Sequence, residues 1–248
     1  MIKGKIKYIV ALLIIVLVGL KYYKYSPYKL ELLGSYEKIG AHRLNSEIRL
    51  QSALKYFDIL EIDLVFDENK NYFDITHPPV KTIQLTLEKY LQKIPKGRYP
   101  FLWLDIKNLD ITNTSQVLIR LQEVLQKYNY PHTKILVETR YPKMLQSFDR
   151  IGFKTSYYLP YRLYKMEDEE LRKQIKKITE ILDNQPNLGI SSNINDYEIM
   201  SKYFPARTKY SWALGRRYSN NFSATRKALQ DPMVKIILVT YTTKKGNR

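Results

Sequence analysis

The stretch ILEIDLVF, Ile59 to Phe66, reads as a buried strand with two acids in it. Glu61 and Asp63 are two residues apart, so both point to one side of an extended chain while Ile62 and Leu64 point to the other. Further on, FLWLDIKN (Phe101 to Asn108) repeats the arrangement with Asp105 and Lys107, and Trp103 lies in phase below them. Charged groups at the ends of apolar strands are what the mouth of a parallel barrel collects, because such barrels carry their sites at the C-terminal ends of their strands.

Outward from these two stretches, short apolar or alternating runs recur. They span Lys38 to His42, Ile59 to Val65, Phe101 to Ile106, Lys134 to Glu138, Lys154 to Leu159, Leu188 to Ser191, Lys209 to Ala213 and Val234 to Val239. Segments with helical spacing lie between them, at Ile83 to Gln92, Ser115 to Tyr128, Glu167 to Leu182, Tyr197 to Tyr203 and Ala224 to Leu229. Strands alternating with helices imply a parallel sheet with crossovers, and eight such units predict an α/β fold, a (β/α)8 TIM barrel over residues 29–248. The alternative is an open doubly wound sheet. No Gly-x-Gly-x-x-Gly turn follows any strand, so its dinucleotide-binding version has no support.

Composition bounds the rest. The 248 residues contain no Ser/Gly-rich or single-sign tract that would divide them, and 44% hydrophobic content belongs to a folded chain. A net charge of +17 favours anionic partners: phosphorylated small molecules, lipid headgroups or nucleic acid. Zinc-finger spacing, an arginine-rich tail and an RNA-recognition strand are all missing from the sequence, so nucleic acid is set aside and most lysines read as solvated surface. Cysteine is absent, which excludes disulfides and a lipid-modified cysteine anchor.

At the N-terminus, Lys3, Lys5 and Lys7 precede the uncharged run YIVALLIIVLVGL, Tyr8 to Leu20, and Lys21, Lys24 and Lys29 follow it. The run is short for a spanning helix, but flanking lysines and tyrosines reach the interface and extend it. A small-x-small cleavage site is not found where a signal peptide would carry one. The expectation is an uncleaved signal anchor over residues 1–28: a single-pass transmembrane helix, with the barrel on the extracytoplasmic side. Lysines on both flanks leave the orientation without support from charge asymmetry.

The site candidates follow from the barrel. His42 and Arg43 close the first strand, Glu61 and Asp63 lie in the second, His77 follows in FDITHPP, and Asp105 and Lys107 end the third. Three converging carboxylates repel one another unless a cation lies between them, and hard oxygen ligands select Mg2+ or Ca2+. The alternative is that Glu61 and Asp63 pair with Arg43 and Lys107. Two imidazoles beside such a site suit general acid-base work, and Arg43 and Lys107 suit phosphoryl oxygens. Glu138 and Arg140 read either as site contacts or as a surface ion pair, Trp212 as core or as a contact for a substrate moiety, and His132 as lying at the opposite end of the barrel.

The order His42-Arg43, Glu61-x-Asp63, His77, Asp105-x-Lys107 resembles the glycerophosphodiester phosphodiesterase family within the phospholipase C-like phosphodiesterase barrels. KILVETRYPKMLQSF, KTSYYLP, NLGISS, KYSWALG and VKIILVTY look like that family's later strands in order. The resemblance implies that His42 and His77 act as acid and base, that Glu61, Asp63 and Asp105 bind a divalent metal, and that Arg43 and Lys107 hold phosphate. It also implies a phosphodiester small molecule or lipid headgroup as substrate. Two segments depart from the family: LNSEIRLQSAL stands in place of a Pro-Glu-Asn-Thr-like segment, and Pro78-Pro79 follows His77 where an Asp is usual. HRLNS and THPP are similar to the menorin-like branch of the same superfamily. A noncatalytic barrel that binds a phosphate or lipid ligand at the same mouth is the rival reading.

Overall fold

A computed structural model describes residues 2–29, 32–214 and 221–243. The side chains of residues 2–6 and 20–25, and with them Lys3, Lys5, Lys21 and Lys24, lie outside the described residues, as does Gly215 of KYSWALG.

Helix α1 (Ile2–Tyr25) precedes the strands β1 (Ile39–His42), β2 (Ile59–Asp67), β3 (Tyr72–Ile75), β4 (Phe101–Ile106), β5 (Ile135–Thr139), β6 (Lys154–Tyr158), β7 (Gly189–Asn193), β8 (Lys209–Ala213) and β9 (Val234–Thr240). The order β1-β9-β8-β7-β6-β5-β4-β2 is parallel throughout and closes through the β1–β2 pair, Ala41 opposite Leu60. This is the eight-stranded parallel barrel expected. The ninth strand, β3, was not expected: it runs antiparallel to β2, with Leu64 opposite Ile75, and turns the chain back over the barrel mouth.

Helices α2 (Glu47–Ala53), α3 (Leu87–Gln92), α4 (Thr114–Lys127), α5 (Leu145–Arg150), α6 (Asp168–Asp183), α7 (Tyr197–Tyr203) and α8 (Asn221–Gln230) are placed between strands. Their apolar stripes face the sheet; α4 buries Val117, Leu121, Val124 and Leu125, one face of a 3.6-residue repeat. The helix expected from Ile83 starts only at Leu87, because the Thr86 hydroxyl accepts the Lys89 amide hydrogen and caps it there. Similarly, Ser46 of the unusual LNSEIR segment caps α2 by accepting from the Arg49 amide.

Alternation along the strands sorts two cores. Leu60, Ile62, Leu64, Leu102 and Leu104 face the helical layer in the main core. Ile59, Trp103, Leu136, Tyr210, Ile236 and Leu238 fill the lumen, with Phe101 and Trp212 against them. Register then stacks the lumen in rows: Ile59 beside Phe101, Glu61 beside Trp103, and Asp63 beside Asp105, which in turn is beside Glu138. An apolar plug fills the lower barrel, and the acids lie above it at the mouth.

The transmembrane expectation needs correction. Among the described residues no helix is long and apolar enough to cross a membrane. The uncharged run Tyr8 to Leu20 spans about 20 Å as a helix, against a hydrocarbon core of about 30 Å. What α1 does show is exposure on all sides, from Tyr8 at 79% to Val18 at 48%.

Candidate active site

The barrel mouth holds a cleft of about 330 Å³ lined by His42, Arg43, Glu61, Asp63, His77, Asp105 and Lys107, and by Trp103, Glu138, Arg140, Tyr158 and Trp212 on its floor and far side. Each of the eight predicted site residues therefore reaches one cavity. Four barrel strands (β1, β2, β4 and β8) and the loop after β3 deliver them.

Chain geometry explains how His42 and Arg43 come to share the mouth. Arg43 adopts a left-handed backbone (φ 54°), which reverses the chain after β1 and turns its amide onto Glu61, whose Oε2 accepts at 2.5 Å. Arg49 on α2 donates to the carbonyls of His42 and Tyr241, each at 3.1 Å, and so ties the ends of β1 and β9 together. His42 Nε2 lies 3.7 Å from Glu61 Oε2. Burial, with Arg43 next to it, pushes the His42 imidazole down to about 3, so it is uncharged at neutral pH.

Arg43 Nη2 lies 2.7 Å from His77 Nε2. A guanidinium only donates, so Nε2 of His77 is the acceptor and its proton sits on Nδ1 in this arrangement. The loop bearing His77 is braced: Thr76 donates its amide to Asp63 O, and Val80 donates to His77 O.

The three carboxylates behave as a unit. Glu61, Asp63 and Asp105 each place an oxygen within 4.8 Å of the others, and Glu61 and Asp63 are buried. Desolvation and the two neighbouring acids raise Glu61 well above the usual carboxylate range, and desolvation raises Asp105 as well. Such a set wants a cation. Lys107 supplies part of one, its Nζ 2.6 Å from Asp63 Oδ1 and bonded to Asp105, and Arg43 Nε stands 3.8 Å from Asp63 Oδ2. The ion-pair alternative thus holds for Asp63, while Glu61 is left with a backbone amide and an imidazole. Buried oxygen donors of this kind fit a hard divalent ion.

Sequence reading missed Asn45. Its amide donates to Asp63 Oδ2 at 2.6 Å and its Oδ1 accepts the Asp63 amide at 3.1 Å, so the "Asn" of HRLNS orients an acid of the triad. Glu138 is not a surface ion pair: it is buried, accepts from Trp103 Nε1 at 3.0 Å and from the Ser191 hydroxyl, and desolvation pushes its carboxyl up to about 8. Trp212 is half-buried at the cleft wall, edge-on to Tyr158 at 4.9 Å, so it combines both of its sequence readings. His132 stacks on Phe153 at 4.5 Å, before β5 and away from the mouth.

The site is thus a set of acids, imidazoles and cations at the C-terminal mouth of a closed parallel barrel. Among solved structures, the chain is similar to a glycerophosphodiester phosphodiesterase from Parabacteroides distasonis (TM-score 0.58, 14% identity, 83% of this chain and 93% of that one). A phosphodiesterase from Oleispira antarctica, solved in complex with the product sn-glycerol-3-phosphate, matches at TM-score 0.58 and 13% identity over 82% of this chain and 93% of that one. A calcium-dependent phosphoinositol-specific phospholipase C from Pseudomonas matches at TM-score 0.51 and 9% identity over 84% and 91%. At such identities the likeness establishes the fold. No family model matches the sequence, and no curated protein matches it. The menorin-like resemblance of HRLNS and THPP has no confirmation in these likenesses.

Proposed function

We propose that the chain is a metal-dependent phosphodiesterase that hydrolyses glycerophosphodiesters or related lipid-derived phosphodiesters. The observation that carries this reading is the meeting of two imidazoles, two cations and three carboxylates, two of them buried, in one cleft at the barrel mouth. Support from likeness comes through the named activities of the Parabacteroides and Oleispira proteins.

Glu61, Asp63 and Asp105 would hold Ca2+ or Mg2+, which supplies charge stabilisation at the phosphoryl group when bound. His42, uncharged at neutral pH, takes the proton of a substrate hydroxyl adjacent to the phosphate as that oxygen bonds to phosphorus. The bond to the leaving alcohol breaks, and His77 gives that oxygen its proton. For this His77 must be protonated on Nε2, which requires Arg43 to swing from His77 to a phosphate oxygen; Lys107 holds another. Water then opens the cyclic phosphate with the two histidines in reversed roles. Trp212 packs against the glycerol.

Localisation extends the proposal: α1 is the part that meets a membrane surface, through its exposed apolar side chains, with the barrel on the extracytoplasmic side. Its apolar exposure supports this.

The test is diester hydrolysis by the full chain, on glycerophosphodiesters and a chromogenic diester, with Ca2+, Mg2+ or EDTA. His42→Ala and His77→Ala are each expected to lower turnover by about 10²-fold or more while the thermal melt is kept. Turnover that survives either substitution or EDTA would refute the reading.

A further inference from the structure

The two sides of the cleft are unlike. Where the imidazoles stand, both cations are already engaged, Lys107 with Asp63 and Asp105, Arg43 with His77 and Asp63. On the other side stands Arg140, one residue past the end of β5. Its guanidinium carbon lies 3.9 Å from the centroid of the Tyr158 ring. Tyr158 meets Trp212 edge-on at 4.9 Å, and Trp212 meets Trp103 at 6.5 Å, so an aromatic wall runs from the lumen up to the guanidinium.

Stacking of this kind uses the face of a guanidinium and leaves the N–H groups around its edge to donate. Among the described residues no acid is ion-paired with Arg140. Glu138, two residues earlier on the same side of the strand, does not neutralise it, since both of its oxygens are turned to Trp103 and Ser191. β6, which carries Tyr158, lies four strands from β1 in either direction around the barrel, so the wall faces His42 across the mouth.

We propose that Arg140, held flat by Tyr158, binds a second phosphoryl group on the substrate, and that the site therefore prefers diesters whose alcohol half is itself phosphorylated. This rests on the phosphodiesterase reading for the reacting phosphate. Arg43 and Lys107 serve that phosphate, and Arg140 serves the other, as a fork of in-plane donors against an oxyanion.

The experiment compares kcat/KM of the full chain for glycerophosphoglycerol and for the same diester phosphorylated on its second glycerol. In Arg140→Gln the preference for the doubly phosphorylated substrate should fall about tenfold or more, the usual worth of a charge-assisted hydrogen bond. Tyr158→Leu should shift it in the same direction and Tyr158→Phe should not. A third substrate, with another glycerophosphate unit in place of the terminal phosphate, separates a monoester from the next diester of a chain; only the preferred source gives the full Arg140-dependent gain. Equal losses on both main substrates, or an unchanged ratio, would overturn the proposal.

Calorimetry with glycerol 1,3-bisphosphate and glycerol 3-phosphate keeps the two readings apart. Without turnover of any diester the phosphodiesterase reading fails, yet selective weakening of bisphosphate binding in Arg140→Gln still upholds the subsite. Turnover with binding indifferent to Arg140 sinks the subsite and leaves the function standing.

Discussion

Single residues set the electrostatics of the mouth. Glu138 is the clearest case, since burial and the neighbouring Asp105 raise its carboxyl from 4.5 to about 8. A carboxyl raised on folding binds its proton more tightly in the folded state, so below about pH 4.5 it costs nothing, and stability is lost as pH rises from there to about 8. Denaturant melts in EDTA should therefore show wild type losing stability relative to Glu138→Gln across that window, by at most about 1.4 kcal/mol per pH unit. A pH-independent difference would mean that Glu138 is not the titrating group. Asn45 offers a second check. It fixes Asp63 through two hydrogen bonds, and outer partners of metal ligands are worth roughly 10- to 100-fold in affinity, so Asn45→Ala should weaken Ca2+ or Mg2+ binding by that order in a calorimetric titration. The acids, cations and imidazoles were legible in the sequence because alternation alone decides which way Glu61, Asp63 and Asp105 point. Asn45 was not, because its contact depends on the left-handed turn at Arg43, which no periodicity announces.

At the level of elements, the eight barrel strands were legible for the same reason, each being an apolar run bounded by polar residues. The additional strand β3 was not, since four residues with an ordinary β pattern give no sign that they fold back on β2. Short α2 and α5 also escaped, although α7, no longer than α2, was read with its bounds. Barrel closure depends on close approach at β1. A Cβ on Gly40 would lie 2.7 Å from Ile59 Cγ2 and 2.8 Å from Leu238 Cδ2, two side chains of the packed lumen. Gly40→Ala is expected to cost about 1–3 kcal/mol, read as a lowered denaturation midpoint. An unchanged midpoint would show that Ile59 and Leu238 have room to give.

For the molecule as a whole, the apolar exposure of α1 contrasts with a barrel core to which, among the described residues, no side chain of α1 belongs. The fragment from Lys29 onward should therefore melt within a few degrees of the full chain and remain in the supernatant with phospholipid vesicles, while the full chain floats with them. Equal partition of the two would remove α1 from any role at a membrane. The sequence overstated this segment by counting flanks that reach the interface toward its span, and the described apolar run is about 10 Å short of the hydrocarbon thickness. The strand β3 has a wider meaning at this scale. His77 hangs from that excursion and not from the closed ring that carries His42 and the carboxylates. The two halves of the proposed acid-base pair thus sit on separable parts of the chain: trimming residues 68–85 would spare every barrel strand and the carboxylate cradle, and on the proposed reading would leave a barrel that captures its ligand without cleaving it.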